Sequence, residues 1–149
     1  VQLWREAEVT GIEVDSGGKI FSALNDITVH NYDPRHAIRY RVWVNDKEIM
    51  HEIIGDGVVI ATPFGSTAYY RSITDSSFEV GIGLAFNNST EQADHMVIDD
   101  NGIIRIKIIR GPAIVYADTR EETIKLNDGD EAVIRRSAES AKILKFRED

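Results

Sequence analysis

Apolar and polar residues alternate along much of this chain with a period of two, the spacing of extended strands that bury one face. Ile38, Tyr40, Val42 and Val44 alternate with Arg39, Arg41 and Trp43, and Ile104, Ile106 and Ile108 alternate with Arg105 and Lys107. Val9, Ile12 and Val14 lead into Ser16-Gly17-Gly18, a hairpin signal, and Lys19-Ile20-Phe21 resumes the extended chain. Leu24 to His30 carries the β-branched residues Ile27, Thr28 and Val29. Asn45-Asp46-Lys47 turns the chain so that Glu48 to Ile54 pairs back. Asp99-Asp100-Asn101-Gly102 is a second turn signal, because Asn-Gly accepts positive φ at both central positions of a hairpin. Ala113 to Ala117, Thr123 to Leu126, Ala132 to Arg136 and Ile143 to Phe146 read as further strands, and Asn127-Asp128-Gly129-Asp130 separates two of them. Asn87 to Asp94 is polar and reads as a loop. One helix is expected, from about Ser66 to Ile73, with Ser66 or Thr67 as its cap. The pattern predicts an all-β fold, a β-sandwich of two packed, mostly antiparallel sheets with that one short helix.

A length of 149 residues suits a single domain with a real core. The chain opens on Val rather than Met, so we expect it to be a piece of something longer; Val1 to Glu6 turns charged at once, unlike a secretion signal. No apolar run approaches the roughly 20 residues of a membrane helix, and no membrane partner is expected. The 25 acids against 17 bases give a net charge of −8, a poor footprint for neutralising phosphates, which argues against nucleic acid as a partner. No cysteine is present, which removes disulfides, thiol nucleophiles and thiolate metal sites and fits a cytoplasmic protein.

Three segments carry candidate chemistry. In Thr62-Pro63-Phe64-Gly65-Ser66-Thr67-Ala68-Tyr69 the residue before proline is pushed to extended geometry, so a strand should end at Thr62. Gly65 permits a close backbone approach, and the small hydroxyls can bond a polar, neutral group such as a sugar; a strand followed by a capped helix explains the same residues. Gly55-Asp56-Gly57 either presents a lone carboxylate or is an ordinary turn. Asn25-Asp26 places an amide and a carboxylate, both depleted in strands, within an otherwise apolar run. A carboxylate can accept two bonds from a vicinal diol, while the amide donates and accepts; a strand end or bulge is the alternative. His30, His36, His51 and His95 lack the spacing of a zinc site, and the Asp99 to Gly102 turn lacks the alternating ligands of a calcium loop. No metal ligand and no catalytic residue is assigned.

Together, Leu24-Asn25-Asp26-Ile27 and Asp56-Gly57-Val58-Val59-Ile60-Ala61-Thr62-Pro63-Phe64-Gly65-Ser66-Thr67-Ala68-Tyr69 resemble the Asn-acid motif and the T-P-x-G-S-T-A-Y signature of the NAD kinase family, which phosphorylates NAD to NADP. Leu126 to Glu131 and Ile134 to Ser137 resemble the family's terminal strands. The resemblance implies that residues 1–149 are the carboxy-terminal β domain, which holds the dinucleotide and forms homodimers or homotetramers. It implies ribose-hydroxyl contacts from Asn25 and Asp26. Asp56 would then meet the nicotinamide end, often across a subunit boundary. Dinucleotide contacts are implied along the signature as well, from Thr62 and Ser66 and from Thr67, Ala68, Tyr69 and Ser72, which match the stretch that reads the adenosine and nicotinamide portions.

Three features depart from the family's pattern. Phe64 stands where a small hydroxyl residue is usual, and Ile73-Thr74-Asp75-Ser76 replaces a usual Gly-Gly-Pro stretch. The Gly-Gly-Asp-Gly motif, which belongs to an amino-terminal α/β domain and activates the attacking hydroxyl, is absent. The implied function is therefore NAD binding within an enzyme that takes ATP and Mg2+ and partners with its own amino-terminal domain, with the piece alone not turning over. Two other readings stay open: the β domain of a related lipid kinase, and a non-enzymatic β-sandwich interaction module.

Overall fold

Two hairpins show how the sequence sets the first sheet. Strands β1 (Trp4–Ser16) and β2 (Lys19–Ala23) are joined by Gly17 and Gly18, both at positive φ, with Ser16 opposite Lys19. Strands β4 (Ile38–Val44) and β5 (Lys47–Glu48) are joined by Asn45 and Asp46, again both at positive φ. Paired positive φ gives a turn whose twist matches that of the strands. The computed structural model describes residues 4–67, 69–90, 95–118 and 120–146.

The remaining strands are β3 (Asp26–Asn31), β6 (Ile53–Gly55), β7 (Gly57–Ala61), β8 (Ile82–Asn87), β9 (His95–Ile98), β10 (Ile104–Arg110), β11 (Ala113–Ala117), β12 (Ile124–Leu126) and β13 (Glu131–Phe146). One sheet has the order β2-β1-β13-β10-β4-β5, with β6 also on β4; the other runs β12-β11-β3-β7-β8-β9. The described pairings are antiparallel, as the period-two pattern requires of sheets with one wet face. The inward rows interlock as one core: Ile12, Val14, Tyr40, Val42, Ile104, Ile106 and Ile134 from the first sheet meet Ile27, Val29, Val58, Ile60, Leu84 and Val115 from the second.

β7 departs from alternation because both its faces are covered. Its five residues are all buried. Val59 and Ala61 face away from the sandwich and pack with Ala85 under Tyr70 of helix α1 (Tyr69–Thr74), flanked by Ile73 and Phe78.

Several expectations are corrected in detail. The expected Ser66 to Ile73 helix is a 3-10 turn over Phe64–Thr67 followed by the six-residue α1. The segments Ala132 to Arg136 and Ile143 to Phe146 are one strand, because β13 pairs continuously with β1 past a bulge between Thr10 and Ile12. Asn101-Gly102 is a turn but not a hairpin. It carries the chain from β9 in one sheet to β10 in the other, neither residue has positive φ, and Asp99 holds it by accepting the Asn101 N–H at 2.9 Å. Asn87 belongs to β8, residues 88–90 continue as a loop, and residues 91–94 lie outside the described residues.

Candidate functional site

Gly55-Asp56-Gly57 is where the chain leaves the first sheet at β6 and enters the second at β7. Gly57 has φ of 144°, and an added Cβ would collide with the Val29 carbonyl oxygen, so only glycine fits the crossing. Asp56 is fastened on all sides. Its carboxylate accepts from Asn31 Nδ2 at 3.2 Å and Asn88 Nδ2 at 2.6 Å, while its backbone bonds Asn31 and Asn87.

The other end of β7 delivers Thr62 and Pro63 to the turn, beside the start of β3, where Asp26 lies opposite Ala61. Thr62 is buried and works on the neighbouring strand. Its N–H donates to the Asn25 carbonyl at 2.9 Å, and its hydroxyl donates to the Leu24 carbonyl at 2.5 Å and accepts the Gly65 N–H at 3.0 Å. Thr62, rather than Ser66 or Thr67, therefore caps the 3-10 turn. An added Cβ on Gly65 would strike the Asn25 carbonyl, so the close approach that this glycine allows is to the chain's own Asn25. Ser66 is also spent internally: its hydroxyl donates towards the Pro63 and Phe78 carbonyls and accepts the Phe78 N–H at 3.2 Å.

A residue outside the recognised motifs completes this clamp. The Asp118 carboxylate, just past β11, accepts the N–H groups of Leu24 at 2.7 Å, Asn25 at 2.9 Å and Asp26 at 3.0 Å. Its own N–H donates to the Asp26 carbonyl at 3.0 Å. Every backbone polar group of Leu24, Asn25 and Asp26 thus has a partner on Thr62 or Asp118. The side chains of Asn25 and Asp26, half-buried, have no hydrogen-bond partner among the described residues. Burial, and then the nearby Asp118 charge, push the Asp26 carboxyl up to about 6.

This clamped turn borders a cleft of about 730 Å3. Its walls are residues 8–12 of β1, Thr62 to Phe64 with Ser66 and Thr67, residues 77–82, Asp100 and Arg136. Arg136 and Asp100 form a loose ion pair at 3.7 Å across one rim. Ser72 lines a shallow groove beyond Thr67 with Arg71, Ile73 and Asp75. Ala68 and the Tyr69 side chain lie outside the described residues.

The structure therefore gathers Asn25, Asp26, Thr62, Ser66 and Thr67 at one end of β3 and β7 and leaves Asp56 at the other. Five strand residues separate the ends, roughly 17 Å of extended chain. The roles of Asp118, Asn31 and Asn88 were not legible in the sequence because each acts on residues far away in the chain. Left-handed φ angles of 50° at Asn88 and 52° at Asp118 are local marks, and they are invisible in one-letter code.

Residues 24–146 match the model of the ATP-NAD kinase C-terminal domain. The chain belongs to that family. An NAD kinase of Methanothermobacter thermautotrophicus is 30% identical over 146 residues, which are 94% of this chain and 51% of the relative. This chain thus spans about half the length of the curated relatives it matches. Two solved structures share the fold. A yeast NADH kinase complexed with NADH superposes with a TM-score of 0.79 at 22% identity, covering 89% of this chain and 41% of that one. An NAD kinase from Archaeoglobus fulgidus in complex with ATP gives 0.77 at 24% identity, covering 95% and 55%.

Proposed function

We propose that this chain is the dinucleotide-holding half of an NAD kinase that uses ATP to phosphorylate the 2′-hydroxyl of the adenosine ribose, giving NADP. One observation carries the reading: the backbone around Asn25 and Asp26 is fully bonded while both polar side chains have no partner among the described residues. A merely capped turn would use such side chains for the cap; here Thr62 and Asp118 do that work. What is left is an amide and a carboxylate set to take a vicinal diol.

In this reading Asn25 and Asp26 bind ribose hydroxyls. Thr67, Ala68, Tyr69 and Ser72 read the adenosine and nicotinamide portions. Thr62 and Ser66 shape the wall that the dinucleotide lies against. The ionised Asp26 accepts hydrogen bonds donated by the ribose hydroxyls, which orients the sugar and excludes water from its face. Asp56 serves the nicotinamide end of a site on a second copy, since it lies too far along β7 to reach its own Asn25. Among the described residues, no group of three His, Cys, Asp or Glu side chains could hold a metal ion. In this reading the chain's share of the reaction is acceptor positioning.

Calorimetry with NAD tests the binding half. Binding in the wild type is expected to weaken about tenfold in Asn25→Ala, the upper end of what one neutral hydrogen bond contributes. Unchanged affinity in that variant would remove Asn25 from the site, and no binding at millimolar NAD would contradict the reading. An NADP-formation assay with magnesium-ATP tests the other half, with no turnover expected from these 149 residues alone.

A further inference from the structure

We propose that Asp118 is a positioning residue for the acceptor site, a carboxylate that sets the geometry of the Asn25-Asp26 turn from which both side chains depart. The inference rests on the reading of Asn25-Asp26 as ribose ligands and adds a residue that no part of the signature contains.

The geometry is specific. A single carboxylate collects three successive N–H groups, with Oδ2 on Leu24 and Oδ1 shared by Asn25 and Asp26. Three amides converging on one anion form a concave nest that is held only while the anion is present. The Asp118 N–H closes the ring by donating to the Asp26 carbonyl. The clamp fixes the φ and ψ angles from which the Asn25 and Asp26 side chains depart, so side chains with no partner of their own still leave the turn in one direction. Thr62 does the same for the carbonyls from the β7 side, but it is neutral, so only Asp118 also acts electrically.

The surroundings of Asp26 leave Asp118 as the dominant charge. On β7 the residue opposite is Ala61, and Thr62 follows it, both uncharged. On the loop after β11, Arg120 lies over the Phe21 ring at 4.9 Å and approaches Glu122 at 3.7 Å. The Asp118 charge adds to burial in favouring the protonated form of Asp26. An ionised Asp26 accepts two hydroxyls, whereas a protonated one keeps one oxygen as a donor. Dinucleotide affinity should therefore fall as pH drops through about 6.

The test compares the wild type with Asp118→Asn by carboxylate 13C NMR titration of Asp26, without ligand, and by NAD calorimetry across the same pH range. Asp118→Asn keeps an acceptor oxygen but loses the charge and presents an NH2 group to one of the three amides. The expected result has two parts: an Asp26 midpoint, and the pH edge of NAD affinity, both displaced downwards; and NAD affinity at pH 8 weakened about tenfold, the size of one lost charge-assisted bond. A variant that merely loses stability would weaken binding and leave both midpoints in place, which would overturn the proposal, as would unchanged affinity. Should Asp118→Asn fail to fold, the wild type still decides: scalar couplings across hydrogen bonds from the Asn25 and Asp26 amide nitrogens to the Asp118 carboxyl carbon are expected, and their absence would contradict the clamp. A wild type that binds no NAD would remove the proposed function, while the Asp26 midpoint and the couplings would still settle the role of Asp118.

Discussion

Asp26 shows what a half-buried carboxylate costs the fold. Its carboxyl is raised from 3.8 to about 6 in the folded chain, chiefly by burial. Between those values the folded state holds more protons than the unfolded one, so the stability contributed by this group is greatest at low pH and falls as pH rises through about 6. Above that pH the ionised side chain is a net burden, which partial exposure limits to about 1 kcal/mol. Asp26→Asn should therefore be more stable than the wild type in urea at pH 8, by about 1 kcal/mol, and indistinguishable at pH 4, while losing NAD affinity. Equal denaturation midpoints at pH 8 would count against a strained Asp26. Gly57 makes the opposite case. With φ of 144° and the Val29 carbonyl in the way, Gly57→Ala should cost about 3 kcal/mol or more, read as a large drop in Tm.

At the scale of elements, the sequence was most legible where one face of a strand is wet. The alternations of β4 and β10 reported their inner faces residue by residue, and the Gly17-Gly18 and Asn45-Asp46 turns fell where paired positive φ demands them. Legibility failed where a partner far away in sequence decides. β13 reads as two short strands because the polar stretch from Ser137 to Lys142 interrupts its apolar pattern, yet β1 runs alongside it throughout. Asn101-Gly102 has hairpin chemistry but serves a change of sheet. In the site, Asn25-Asp26 stood out because both residues are wrong for a strand interior, whereas the hydroxyls of Thr62 and Ser66 turn out to be spent on the chain itself. α1 is too short to persist alone. It depends on Tyr70, fully buried and set edge-on to Phe78 at 5.1 Å. Tyr70→Ala should cost about 3–5 kcal/mol and raise amide exchange through residues 69–74 more than in the sandwich core.

For the whole molecule, the distance along β7 is decisive. Asn25 and Asp56 mark opposite ends of that strand, so the two side chains cannot hold the same sugar of one dinucleotide. An assembly that brings Asp56 to a neighbour's cleft resolves this, and sedimentation should show more than a monomer at high concentration. Mixing is the sharper check. Asn25→Ala and Asp56→Ala chains, each impaired alone, should recover about a quarter of the wild-type NAD sites when unfolded and refolded together as two-fold dimers. No recovery would place Asp56 outside the dinucleotide site.

Titration of the 15N-labelled chain with NAD, and with an analogue lacking the ribose hydroxyls, asks the central question in one experiment. A clamped turn that offers an amide and a carboxylate to a diol predicts that NAD moves the amide signals of Asn25, Asp26 and Thr67 and that the analogue leaves them in place. Equal responses to the two ligands, or shifts confined to residues away from the cleft, would contradict it.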